Sequence, residues 1–225
     1  MQKIFEPIIL ILYLTWILLM GRYMVSYSVG NKYYKIFGSL ALTLGLADGI
    51  YIIPRMYSVL TTGIEDNLRI IGWGRLGNAI IITIFFLVLY DAYNERYTKK
   101  TNKALNRTFF VLAFIRVIII ILPGNKWFDL NPSPTYALLR FVPIALMGVF
   151  LILIMYIHSK KYKDFNYKIM SIATFFAILF IEPLVFISNS AIGLTLFTIC
   201  RTISLIFIIL IGYKELRDIN VLSRY

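Results

Sequence analysis

Histidine and cysteine are almost missing, with one of each in 225 residues. A disulfide within the chain is therefore excluded, and a metal site built on His or Cys has no ligand set. Zinc-dependent hydrolysis within the membrane falls with it, and neither metal nor cofactor is expected. No Gly-x-Ser-x-Gly occurs, and the single histidine, His158, is placed at the inner surface beside "SKKYK", where it is expected to be solvated. A serine nucleophile would thus have no base in an outer cavity. The last apolar block holds no lysine, which excludes a retinal Schiff base there. Acids are scarce as well: 11 Asp and Glu stand against 23 Lys and Arg, a formal charge of +12. That balance alone would suit nucleic acid. The cations, however, fall between apolar blocks, so membrane topology explains them and no nucleic-acid partner is expected.

What the chain has in excess is apolar length. Hydrophobic residues make up 60% of it, above the level of a soluble domain. Seven apolar blocks run about 5–24, 34–56, 70–92, 108–123, 136–157, 168–188 and 193–213. Most have the length that crosses a hydrocarbon core, and helices satisfy every backbone group inside such a segment. The expected fold is all-α: a single polytopic bundle of seven transmembrane helices over residues 1–225. The start, "MQKIFEPIILILYLTWILLMGR", resembles a signal peptide but lacks a convincing small-x-small site, so a retained first helix is expected. The fourth block is short and stops at "LPGN".

Basic residues set the direction. Arg22, Lys32 and Lys35 follow block one. Arg96, Lys99, Lys100, Lys103 and Arg107 follow block three. Lys160, Lys161, Lys163 and Lys168 follow block five, and Lys214, Arg217 and Arg224 follow block seven. The opposite loops carry only Lys3, Arg69 and Lys126, and "SNSAIG" carries none. The N-terminus is predicted outside and the C-terminus in the cytoplasm of a bacterial cell, with the protein multi-pass in its cytoplasmic membrane. The tail "YKELRDINVLSRY" is expected to prolong the last helix inward.

Five arginines are left inside the blocks or at their edges: Arg55, Arg75, Arg116, Arg140 and Arg201. Asp48 and Glu182 join them. On the predicted topology all seven lie between the outer surface and the midplane, and the inner half has no comparable charge. A charge at the bilayer centre costs about 2.5–3.5 kcal/mol on insertion scales, so these side chains are expected to face inward around a polar cavity open to the outside. In "GLADGIYIIPRMY", Asp48 and Arg55 share a helix face about 10 Å apart along the axis, with Tyr51 between them. Each is therefore expected to find partners on other helices. The set is cationic, and guanidinium forks suit carboxylate or phosphate. Asp48, Tyr51, Arg55, Arg75, Arg116, Arg140, Glu182 and Arg201 are the candidate ligand-binding residues, for an anionic small molecule or a lipid headgroup that is bound or transported.

Other readings compete. Arg55, Arg75 and Arg140 are close enough to the boundary to snorkel, which leaves Asp48, Arg116, Glu182 and Arg201 as internal ion pairs of a structural or sensory subunit. Such a subunit would work through a protein partner that the residues do not name. An intramembrane lipid-modifying enzyme would use Asp48 or Glu182 as acid or base. Pro7, Pro54, Pro143 and Pro183 recur near the outer parts of helices one, two, five and six, which suggests two parallel three-helix units joined by helix four. The glycines of "GWGRLGNA" predict close helix packing rather than a phosphate loop. Thr198, Thr202 and Ser204 are expected to bond backbone carbonyls or neighbouring helices, and Cys200 to be a packed thiol.

Three stretches together resemble a group of uncharacterised bacterial seven-helix membrane proteins. Their second helix is similar to Asp-x-x-His-x-x-Pro-Arg; here "DGIYIIPR" keeps Asp48, Pro54 and Arg55 and puts Tyr51 in the His place. "LPGNKW" resembles the group's Leu-Pro-x-Asn-x-Trp. The last helix, "TICRTISLIFIILIGYKEL", is similar in character, with Arg201 in place of an expected Lys. The resemblance implies the seven-helix fold and no activity. A phenol at position 51 still donates a hydrogen bond, so ligand positioning there would survive the change from His.

Overall fold

A computed structural model describes residues 2–28, 30–97, 103–180 and 191–222. Glu182, Pro183, Lys99, Lys100, Arg224 and the first half of "SNSAIG" lie outside these residues, as do the side chains of Lys3 and Thr198.

Seven α-helices and two single 3₁₀ turns account for the ordered elements among the described residues, with no strand. They are α1 (Gln2–Ser26), α2 (Lys32–Leu60), α3 (Leu68–Tyr97), α4 (Lys103–Ile121), α5 (Pro134–Tyr162), α6 (Phe165–Leu179) and α7 (Ala191–Leu222). The helices overrun the apolar blocks at most ends, because polar residues at the membrane surface continue a helix that hydrocarbon has already forced. Thus α7 does carry the mixed-charge tail inward as far as Leu222.

Local chemistry explains the boundaries. Asn31 caps α2 by accepting from the Tyr33 amide, and Asp164 caps α6 by accepting from the Tyr167 amide. Pro134 opens α5 at its first turn, where its missing N–H costs nothing. α4 ends where Leu122 turns extended ahead of Pro123, since the ring disfavours a helical residue before it.

Five helices, α1 to α5, are each long and apolar enough to cross a membrane. The described part of α6 is a mainly apolar helix of 15 residues, and the rest of its block lies outside the described residues. The outer girdle fits a lipid surround: Leu12, Leu19, Ile53, Phe114, Ile121 and Leu153 are all exposed. So many large apolar side chains facing out mark a surface whose solvent is lipid. The chain is a multi-pass membrane protein.

The helices pack in sequence, α1 on α2 on α3 and α5 on α6 on α7. α4 lies between α3 and α5, and α2 meets α7 to close the bundle. The main core joins Phe37, Phe85, Phe86, Phe109, Met147, Leu151 and Ile208. A smaller cluster of Ala79, Ile120 and Trp127 sits under the segment between α4 and α5. Glycine sets the closest approach of α2 and α3: a Cβ on Gly74 would lie 2.7 Å from the Ile50 carbonyl oxygen. This is the packing role expected of "GWGRLGNA".

Candidate functional site

Asp48 lies near the middle of α2 and is 4% exposed. Its carboxylate is held from three other helices. The Tyr13 hydroxyl of α1 donates to Oδ2 at 2.7 Å. Asn78 of α3 donates to the Ala47 carbonyl at 2.7 Å and reaches Oδ1 at 3.5 Å. Arg201 of α7 approaches Oδ1 through Nη2 at 3.4 Å. The expectation that Asp48 pairs across helices rather than with Arg55 therefore holds. Arg55 instead donates to the Tyr51 hydroxyl, one turn back on its own helix, at 3.3 Å.

The Asp48–Arg201 contact is thin for an ion pair. Charge-assisted N–H···O bonds usually run about 2.7–2.9 Å and are often bidentate. Here one nitrogen makes one contact at 3.4 Å, and Arg201 Nε is buried with no hydrogen-bond partner among the described residues. The Arg201 side chain keeps 16% exposure against 5% for Asp48. The carboxylate is well enclosed, whereas the guanidinium has donors to spare. On the same helix, Ser204 bonds the Cys200 carbonyl at 2.8 Å, as expected of its hydroxyl.

Arg75 and Arg140 face a different structure. The segment after α4 folds back on Asn125, which is fully buried and donates to the carbonyls of Ile119, Ile120 and Leu122. Those are the carbonyls that a helix C-terminus leaves without partners. Trp127 Nε1 adds a bond to the Ile120 carbonyl at 2.8 Å. Arg140 donates to Asn125 Oδ1 at 3.0 Å and lays its guanidinium over the Trp127 ring at 4.4 Å. Arg75 donates to the Asp129 carbonyl at 2.9 Å and that of Trp127 at 3.4 Å. The "LPGNKW" stretch is thus a helix stop with an arginine clamped on it. Arg116 is buried in α4, at 1% exposure.

By their hydrogen bonds, the sequence-predicted residues divide into Asp48 with Arg201, Tyr51 with Arg55, and Arg75 and Arg140 on the segment before α5. Two cavities, of about 580 and 650 Å³, open on the bundle, and neither is lined by any of the seven described candidate residues.

Two further clusters lie at the inner end, outside the apolar blocks. There Arg96 draws together Asp164 and Glu215. Its Nε and Nη2 reach Asp164 at 3.0 and 2.9 Å, and Nη1 reaches Glu215 at 3.1 Å. Tyr33 and Tyr167 flank the guanidinium, Tyr97 donates to Asp164 at 2.8 Å, and Asn166 donates to Glu215. Arg96 is on the last turn of α3, Asp164 caps α6 and Glu215 is on the extension of α7, so only the packing of these ends makes them neighbours. His158, expected in water, instead contacts Tyr93 at 3.0 Å and the Ile154 carbonyl at 2.9 Å and packs among Tyr93, Tyr97 and Tyr162. The aromatic residues at the ends of α3 and α5 meet there and leave His158 half-buried.

Sequence reading missed Tyr13, Asn78, Asn125 and Trp127 as polar partners. The usable signal was an isolated amide in or beside an apolar run, which must find a partner once lipid surrounds it. No protein-family model, curated protein or solved structure matches the chain.

Proposed function

We propose that this protein binds an oxyanion-bearing ligand, an anionic small molecule or a lipid headgroup, at the Asp48–Arg201 centre, entering from the outer side. The membrane we assign is a bacterial cytoplasmic membrane with the basic end inside, in keeping with the distribution of Lys and Arg. One observation supports the reading: Arg201 is charged and mostly buried, yet among the described residues it meets its carboxylate through a single long contact and leaves Nε without a partner. A guanidinium fork with open donors in a low-dielectric setting is matched by carboxylate or phosphate. Asp48, held by Tyr13 and Asn78 as well, fixes the position of the arginine without consuming it.

The geometry narrows the site relative to the eight residues. Arg75 and Arg140 direct donors to the segment before α5, so Arg201 is the principal cation and Asp48 its positioning partner. A second reading, an internal pair that only joins α2 to α7, draws on the near-complete enclosure of the Asp48 carboxylate.

Native mass spectrometry of the gently purified protein separates the two. The binding reading expects a co-purifying carboxylate or phosphate species on the wild type that is absent from a folded Arg201→Ala. If the wild type carries no such species and Arg201→Ala only lowers the melting temperature, the internal pair stands and the binding proposal fails.

A further inference from the structure

A cavity of about 580 Å³ opens at the inner end of the bundle, where the turn between α5 and α6 meets the last residues of α3. Its walls carry charge of their own, from Arg96, Lys163 and Asp164.

Most of its polar groups are already engaged. Arg96 gives all three guanidinium nitrogens to Asp164 and Glu215. Asp164 also accepts from the Tyr97 hydroxyl and, as the cap of α6, from the Tyr167 amide. The Asn166 side chain, another part of the wall, donates to Glu215. Two lining groups are left over. Among the described residues the Lys163 ammonium meets no acid, and the Tyr162 hydroxyl makes no hydrogen bond. Both donate and one is a cation, so what the cavity still offers suits an anion. The Arg96 cluster holds one acid in excess, and Lys160, Lys161, Lys163 and Lys168, all exposed, outweigh it. The Lys161 ammonium lies 5.4 Å from the centre of the Tyr162 ring.

The backbone at Lys163 is unusual. It stands at φ 52, the left-handed conformation that ends α5, with its amide bonded to the Lys160 and Ser159 carbonyls. Glycine is the usual residue in that place, because a Cβ is crowded there. A lysine accepts the strain and keeps its ammonium at the cavity.

The remaining wall residue is apolar and points the way to lipid. Phe165, at the start of α6, is 69% exposed. Ile172, Phe176 and Leu179 are exposed as well, and their spacings of 7, 4 and 3 residues keep them on the face of Phe165. The stripe runs from the cavity into the membrane for about 21 Å, more than the roughly 15 Å of hydrocarbon in one leaflet.

We infer that this cavity seats the phosphodiester of an anionic phospholipid from the inner leaflet, held by Lys163 and Tyr162, with one acyl chain along the α6 stripe. A cation at the membrane surface above a continuous apolar lane is complementary to a negative headgroup with its chain below. The site is at the opposite end of the bundle from the Arg201 centre, and neither proposal rests on the other.

The test uses the full-length protein in vesicles of phosphatidylethanolamine and phosphatidylglycerol. Either lipid is spiked with a copy that carries a photoreactive group in its acyl chain, and labelled positions are read by peptide mass spectrometry. The phosphatidylglycerol probe is expected to concentrate on residues 165–179 and to exceed the phosphatidylethanolamine probe there. Lys163→Gly removes the cation and suits the left-handed backbone, so the melting temperature should hold or rise. The phosphatidylglycerol label should nevertheless fall about five-fold, the effect of one lysine at an anionic surface, and the phosphatidylethanolamine label should stay. Lys163→Asn, also tolerated in that conformation, gives the same reading if the glycine variant does not fold, and Lys163→Arg should keep the label. Arg201→Ala should leave it unchanged, which separates this site from the outer one. Equal labelling by the two probes, or labelling indifferent to the loss of Lys163, overturns the inference. Displacement of the label by excess glycerol 3-phosphate would show a site for free phosphate esters and overturn the lipid assignment.

Discussion

Arg96 and Arg201 each meet carboxylates that are buried or partly so, but they are satisfied to different degrees. All three guanidinium nitrogens of Arg96 engage Asp164 or Glu215, and two tyrosine rings cover its flanks. Among the described residues Arg201 makes one such contact, at 3.4 Å. Both acids of the Arg96 cluster are 11% exposed, so each has water nearby as a secondary partner, whereas Asp48 is more enclosed. The cheaper place to leave a cation incomplete is near water, yet the incomplete one sits in the apolar part of the bundle. The saturated arginine joins α3, the α5–α6 turn and α7, and reads as structure. The unsaturated one is the proposed site.

The widest separation between the two should come from Arg96→Ala. Removing the cation leaves two partly buried acids facing each other, an expected loss of about 3 kcal/mol, seen as a lowered unfolding midpoint in detergent. Retention of the anion proposed at Arg201 by the folded fraction should not change. If Arg201→Ala costs as much stability as Arg96→Ala, the contrast between the regions disappears.

Asn125→Ala is the next largest and serves as a control in the outer half. It deprives the end of α4 of its donor and Arg140 of an acceptor, for about 2 kcal/mol. Thermal unfolding should register the loss while bound anion stays, because this cluster is built for packing. Loss of the anion with this variant would tie the outer segment to the site.

The smallest effect is predicted for Tyr13→Phe. One interhelical hydrogen bond in a membrane is worth about 0.6 kcal/mol, so the unfolding midpoint should barely move. The carboxylate would then depend more heavily on Arg201, and the affinity for the co-purified anion should fall. An unchanged affinity would mean that Asp48 does not control the availability of Arg201.

Much of this molecule could be read before it was seen. The apolar blocks predicted the helices, and "LPGN" predicted the end of α4 to within a residue or two. Asp48 was correctly expected to look to other helices, because Arg55 lay too far along the same face. The failures are also specific. Arg140 was grouped with a cavity, yet it stacks on Trp127, a residue 13 positions away across a turn whose path spacing does not give. His158 was read from its lysine neighbours alone; it is half-buried, and its contacts with three tyrosines could not be seen from those neighbours.

Transfer free energy and helix period act along the chain, residue by residue. They suffice to set how often it crosses, where each helix stops and which end carries the lysines. Which charge meets which is another matter. It turns on the rotation and tilt of helices far apart in sequence, and a side chain reaches only a few ångströms. Asp48 and Arg201 are 153 residues apart and had to be brought within that reach by the closure of α2 on α7. The same folding that joined them left Arg201, among the described residues, with a single long contact to its carboxylate.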